Sequence, residues 1–142
     1  QLGGASGPCI PPEMIDLRLD YKEFENNGLS MGAGAVIVID DRHDILDILR
    51  NIVVFFKHES CGKCTPCREG NRHILNILDR FIARTATEKD LSTLESILNV
   101  MTDTSFCGLG QAAPTAILTA LKYFRYEFLS GIYKEFEIKN AV

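Results

Sequence analysis

Residues 45–82 read ILDILRNIVVFFKHESCGKCTPCREGNRHILNILDRFI, and both the fold and the chemistry are decided there. The two ends of the stretch share one rhythm. Ile45, Ile48, Leu49, Ile52, Val53 and Phe56 recur at three and four residues, which lays an apolar stripe along a helix of about four turns. Thr65 and Pro66 supply an N-cap and a first-turn proline, after which Ile74, Leu75, Leu78, Phe81 and Ile82 mark a second helix. Between the two, Cys61, Cys64 and Cys67 crowd into one short connection.

Toward the C-terminus the same period continues. Thr87 with Asp90 three residues later has the form of a capping box ahead of Leu91, Leu94, Ile97, Leu98 and Met101. A fourth helix starts near Pro114 and carries Ile117, Leu118, Leu121, Phe124, Phe128 and Leu129. Four amphipathic helices with short links predict a four-helix bundle over residues 42–142. Toward the N-terminus the pattern changes near Asp41. Glycines and prolines punctuate residues 1–41, Leu17, Leu19 and Tyr21 alternate with charged residues, and Ala35 to Ile39 is a continuous apolar run. These predict two strands separated by a short helical piece over Tyr21 to Asn26. Two strands alone are marginal in water. Residues 1–41 are therefore expected to be the trailing part of a mixed β domain, and the whole to be α+β. With no initiator Met, the chain reads as the later part of a longer polypeptide.

The 142 residues are 46% hydrophobic and 24% charged, the composition of a globular chain rather than a disordered or coiled-coil one. Nineteen acidic against 15 basic residues give a formal net charge of −4, which argues against a nucleic-acid partner. The longest apolar runs fall far short of the ~20 residues that span a bilayer, so direct membrane insertion is not expected. The opening QLGGASGPC lacks the charged and apolar regions of a signal peptide. There is no internal repeat and no low-complexity stretch.

Five cysteines are present, and three of them spaced three apart make a poor disulfide framework. Metal binding is the better reading. After Cys67 come 39 residues and then Cys107, within the run Phe106-Cys107-Gly108-Leu109-Gly110. An iron–sulfur cubane takes four thiolates, one for each iron, and Cys-x-x-Cys-x-x-Cys with a remote cysteine supplies them. Pro66 starts a helix whose N–H groups favour negative charge, Lys63 and Arg68 add cations, and Gly62, Gly108 and Gly110 let backbone amides approach sulfur. A structural zinc site using the same four cysteines is the alternative, although zinc ribbons pair two Cys-x-x-Cys knuckles. Reduced, unligated core cysteines are a third reading. Other features give bland readings. His58-Glu59 lacks the second histidine of a zincin motif, because Gly62 stands in its place. His43 and His73 read as solvated surface, and Gly32-x-Gly34 precedes a strand-like run instead of following one, so a turn is expected there. Cys9 reads as a structural or free thiol, and Tyr123, Phe124, Tyr126 and Phe128 as bundle packing.

The run Lys57-His-Glu-Ser-Cys-Gly-Lys-Cys-Thr-Pro-Cys-Arg-Glu-Gly70, with Cys107-Gly-Leu-Gly-Gln-Ala-Ala-Pro114 after the matching interval, resembles the C-terminal region of a known family. That family is the flavin-containing, NADH-oxidising subunit shared by respiratory complex I, NAD(P)-linked hydrogenases and some NAD-dependent formate dehydrogenases. Gly3-Gly-Ala-Ser-Gly7 and Met31 to Asp40 are similar to it as well, so the resemblance covers essentially the whole chain. It implies that residues 1–41 end a β-grasp domain of the soluble-ligand-binding type and that residues 42–142 form the iron–sulfur helical domain. It implies a [4Fe–4S] cluster on Cys61, Cys64, Cys67 and Cys107 that relays single electrons from FMN toward further clusters. FMN and NAD(P) would be bound mainly by a flavin domain upstream in the same polypeptide, so the chain is expected to be part of an NAD(P)H-dependent oxidoreductase and to hold no catalytic residue. Partners implied are that flavin domain and other iron–sulfur subunits of a multi-subunit complex. The implied setting is the reducing environment of the cytoplasm or an organelle matrix, or the peripheral arm of a membrane complex. The Gly-Pro-Cys opening and the Cys107 to Pro114 run lean toward the hydrogenase-linked branch.

Overall fold

The computed structural model describes residues 1–132. The last ten residues assigned to the helical domain lie outside them. Seven α-helices are present among the described residues: α1 (Tyr21–Asn26), α2 (Ile45–Glu59), α3 (Thr65–Ile82), α4 (Glu88–Thr104), α5 (Gly108–Ala112), α6 (Thr115–Tyr123) and α7 (Arg125–Ser130), with a single 3-10 turn at Pro12–Met14. Side chains start several of them as the sequence leads one to expect. Asp20 accepts from the N–H groups of Lys22 and Glu23, and Asp44 accepts from Leu46. The Thr87–Asp90 capping box is formed in both directions. In α3 the cap lies one residue earlier than expected, at Cys64, so that Thr65 and Pro66 are already helical.

Helices α2, α3 and α4 pack in sequence, with α6 laid against α2 and α4, and α7 against α6 and α2. Leu49, Ile74, Leu78, Leu94, Leu98, Met101 and Ile117 meet in the core and are all but sealed from solvent. Near the site α3 and α4 come especially close. A Cβ at Gly70 would run into the Met101 thioether, so the glycine lets the two helices approach there.

The expected fourth helix is broken. Phe124 leaves the helical region (φ −124°, ψ 31°) and separates α6 from α7. The redirected α7 drives Phe128 into the core, edge-on to Phe81 with ring centroids 5.5 Å apart and planes at 83°. Gly131 then passes so close to α3 that an added Cβ would lie 2.7 Å from the Phe81 carbonyl oxygen. An apolar period that runs through Phe124 without interruption hides this turn.

The two strands expected in residues 1–41 are not formed among the described residues. Leu19 and Tyr21 are exposed, and Tyr21 opens α1. The Ala35–Ile39 run makes one isolated antiparallel bridge, Val36 to Leu2, flanked by Gly3 N–H donating to Ala35 C=O at 2.7 Å and Ile37 N–H donating to Gln1 C=O at 2.8 Å. A strand is defined by its neighbour, and residues 1–3 offer only this short one; Val38 is left 85% exposed. The observed architecture is therefore mostly helical, with an irregular N-terminal segment in place of a recognisable β domain. That segment is fixed to the helices by Cys9, which is buried in the core and whose backbone N–H donates to Thr119 Oγ1 of α6 at 2.9 Å.

Candidate metal centre

Two helix starts build the site. At the end of α2, Ser60 turns extended and the chain reverses through Gly62 (φ +72°), a left-handed conformation that suits glycine. Cys64 is the N-cap of α3 and Cys67 lies in its first turn; Cys107 is the N-cap of the short α5. First-turn N–H groups have no partner within their own helix and are available to anionic sulfur.

The two starts touch. The backbone N–H groups of Phe106 and Cys67 hydrogen-bond to Cys64 sulfur and, outweighing the opposing effect of burial, hold its thiol below the usual cysteine range. Arg68 adds a smaller electrostatic contribution in the same direction. A Cβ at Gly110 would stand 3.0 Å from Cys67 Cβ and 2.7 Å from both Cβ and Oγ of Ser105, so α5 lies directly against the first turn of α3. Cys64 and Cys67 are buried, whereas Cys61 and Cys107 are exposed, which gives the site a sealed side and an open side.

Around Cys67 the contacts are polar and uncharged. Its sulfur is 3.3 Å from Ser60 Oγ and 3.5 Å from Asn71 Nδ2. Ser105 Oγ is buried and has no hydrogen-bond partner among the described residues. The cations expected to face the sulfurs are placed differently. Arg68 donates to the Gly62 carbonyl at 2.6 Å and pairs with Glu69, clamping the Cys61–Cys64 turn, and Lys63 is exposed.

These residues fit an iron–sulfur group on their donor chemistry. Four cysteines without a carboxylate or imidazole among them match one thiolate per iron, and an orphaned buried hydroxyl stands ready as a further donor. Among the described residues no three His, Cys, Asp or Glu side chains are gathered closely enough to hold a single metal ion. The remaining candidates keep their bland readings. His58 pairs with Glu59 and His43 with Asp40 at the surface, Gly32 lies in a turn against Gly3, and Phe124 and Phe128 pack in or against the core. Tyr126, expected to pack in the bundle, is instead exposed, because it lies on the outer face of the redirected α7. Sequence reasoning gave no role to Ser60, Asn71 or Ser105. The one available signal was the spacing of Asn71 four residues after Cys67, which puts both on one helix face.

The chain is similar to known proteins along nearly its whole length. The family model of the NADH-ubiquinone oxidoreductase-F iron–sulfur binding region, of the 4Fe–4S type, matches residues 47–131. The F 2 subunit of NADH-quinone oxidoreductase from Rhizobium meliloti (strain 1021) is 38% identical over 130 residues, which are 92% of this chain and 31% of the relative. The HndC subunit of the NADP-reducing hydrogenase from Solidesulfovibrio fructosivorans is 35% identical over 128 residues, 90% of this chain and 26% of that protein. Among solved structures, NAD+-reducing [NiFe]-hydrogenase in the H2-reduced state superposes with a TM-score of 0.85 at 32% identity, covering 96% of this chain and 23% of the other. The chain thus spans about a third or less of the length of these relatives. Nothing in the comparisons favours the zinc alternative. Because the family model covers more than half of the chain and takes in Cys61, Cys64, Cys67 and Cys107, the chain belongs to the family of the NADH-ubiquinone oxidoreductase-F iron–sulfur binding region.

Proposed function

We propose that the chain is the electron-transfer module of an NAD(P)H-linked flavoprotein oxidoreductase, with Cys61, Cys64, Cys67 and Cys107 as the ligands of one [4Fe–4S] cluster. One observation carries this reading. The N-terminal turn of α5, which bears Cys107, is pressed onto the N-terminal turn of α3, which bears Cys64 and Cys67, at the Gly110 contact with Cys67 and Ser105. The starts of two helices whose cysteines Cys67 and Cys107 are 40 apart in sequence thus pack on each other through a glycine, which supports a shared site.

When bound, such a cluster takes up and releases single electrons. The chain's own residues hold it. Helix-start N–H groups stabilise negative charge on sulfur, Gly62 and Arg68 shape the turn that presents Cys61, and the buried faces of Cys64 and Cys67 exclude water on the core side. The exposed side, at Cys61 and Cys107, is where a donor or acceptor approaches.

The flavin and nicotinamide sites belong, in this reading, to an upstream domain of the parent polypeptide, and the acceptors are clusters of other subunits. Residues 1–41 are assigned to the end of a β-grasp domain; the Val36–Leu2 bridge and the exposed Val36 to Val38 run are the support for further strand pairing there. The glycine-rich Cys107 run leans toward the hydrogenase-linked branch, and relatives of both kinds, hydrogenase and NADH-quinone oxidoreductase subunits, share this region. No helix among the described residues is long and apolar enough to cross a membrane, and a reducing compartment, cytoplasm or organelle matrix, suits exposed free thiols.

The test is anaerobic reconstitution of the chain, with iron and acid-labile sulfide determined alongside electron paramagnetic resonance of the dithionite-reduced sample. About four iron and four sulfide per chain and a one-electron signal are expected. A colourless protein holding one zinc and no sulfide refutes the proposal.

A further inference from the structure

The described residues bury two polar side chains, Asn71 and Ser105, and both stand on the Cys67 side of the site. Burying a polar group is costly unless it is given a partner. Asn71 is 1% exposed. One hydrogen of its amide is spent on the Cys67 carbonyl at 2.8 Å, and the other is left to point at Cys67 sulfur, 3.5 Å away. Ser60 shows the same logic from the other side. Its oxygen accepts the Gly62 N–H at 3.2 Å, which leaves the hydroxyl proton free for Cys67 sulfur at 3.3 Å. A sulfur bound to iron can only accept, so both contacts resolve in one direction. Ser105 is left over: its buried hydroxyl has no partner among the described residues and lies across the Gly110 Cα from Cys67.

We propose that Ser60, Asn71 and Ser105 are positioning residues that form an uncharged donor set on the sealed side of the site and raise the reduction potential of the bound cluster, Ser60 and Asn71 through Cys67 sulfur and Ser105 through its spare hydroxyl. The inference rests on the cluster assignment above. A donor stabilises the more negative, reduced state more than the oxidised one, and does so strongly where water is excluded. The two exposed cysteines, Cys61 and Cys107, receive no such side-chain donor among the described residues. The potential is thus tuned from the core side, while the open side stays clear for electron partners.

The experiment is a redox titration of the reconstituted chain, followed by electron paramagnetic resonance, with iron and sulfide content measured for every sample. At the wild-type midpoint, Asn71→Leu is expected to lower the reduced-to-oxidised ratio about tenfold, equivalent to a 59 mV fall for a one-electron couple. Ser60→Ala shifts the midpoint in the same direction, and Ser60→Thr, which keeps the hydroxyl, restores it. Ser105→Ala separates tuning from packing: removing an orphaned hydroxyl raises the melting temperature of the cluster-free chain while lowering the midpoint of the loaded one. Full loading with unchanged midpoints in Ser60→Ala and Ser105→Ala overturns the inference alone, and these two variants decide the matter if Asn71→Leu fails to fold. A wild-type chain that binds no iron and sulfide overturns the cluster assignment and this inference together.

Discussion

Replacing Gly110 by alanine tests whether the contact between α5 and α3 builds the site. The new methyl would stand 2.7 Å from Cβ and Oγ of Ser105 and 3.0 Å from Cys67 Cβ. These atoms sit next to the backbone and cannot swing aside like the end of a methionine. Reaching an ordinary contact of 3.4 Å from 2.7 Å requires about 0.7 Å of movement of α5 or of its neighbours. Metal-ligand positions tolerate about 0.2 Å, so the displacement is several times what a ligand set can absorb. Overpacking of this kind costs roughly 1–3 kcal/mol. Gly108 is the control: a methyl there meets nothing within 4 Å, and its φ is not in the left-handed region. Both substitutions gain up to about 1 kcal/mol of helix propensity, so the difference between them isolates the clash. At about 3 °C per kcal/mol for a chain of this size, Gly110→Ala should melt roughly 3–9 °C below Gly108→Ala by circular dichroism, in the cluster-free form. It should also load less iron and sulfide, whereas Gly108→Ala loads normally. Equal melting and equal loading of the two variants would refute the packing argument.

Four other expectations follow from the structure. Phe128→Ala removes a fully buried ring stacked edge-on against Phe81 and should cost about 3–5 kcal/mol in urea unfolding; a loss below about 1 kcal/mol would show that α7 does not anchor the core. Thr87→Ala should cost about 1 kcal/mol by breaking the α4 capping box. The same box sets an acid limb: partial burial pushes the Asp90 carboxyl up, but hydrogen bonds from Arg80 and Thr87 outweigh it and hold the group below its ordinary 3.8, so its stabilisation is complete above that value and disappears as pH falls through the lower folded one. Urea midpoints measured on the acid side should fall less steeply in Asp90→Asn. For Cys9, burial pushes the thiol above its usual range against a weak opposing pull from the N-terminal ammonium, so iodoacetamide at about pH 8 should label exposed Cys61 and Cys107 of the cluster-free chain and spare Cys9 until denaturant is added; rapid native labelling of Cys9 would contradict its place in the core.

The long helices were legible because their information is local. The stripes of α2, α3 and α4 repeat over three turns or more, and the Thr87–Asp90 pair announces its own cap. Helix α5 was not legible, since Gly-Leu-Gly-Gln-Ala has the composition of a loop and is helical because it packs on Ser105 and Cys67. The turn at Phe124 was hidden by an unbroken apolar period, and its cause, the Phe81–Phe128 pair, is tertiary. Val36 to Val38 have strand propensity, but propensity without a partner gives one bridge. For the site, spacing singled out the four cysteines. Ser60, Asn71 and Ser105 stayed silent because their meaning depends on where one sulfur atom comes to rest.

Cys9 and Thr119 bear on how the molecule can be taken apart. The Thr119 hydroxyl receives the Cys9 N–H and donates within α6, whose carbonyls of Thr115 and Ala116 lie 2.9 and 3.0 Å away. A stitch from the N-terminal segment therefore enters the helical core, where the buried Cys9 side chain is part of the core cluster. A shortened protein beginning near residue 42 would lose that plug, open a void under α6 and strip a buried hydroxyl of its donor. Minimal iron–sulfur fragments of this chain should be trimmed upstream of Leu2 or be supplied with an apolar substitute for the missing plug, because the helices alone are an incomplete body.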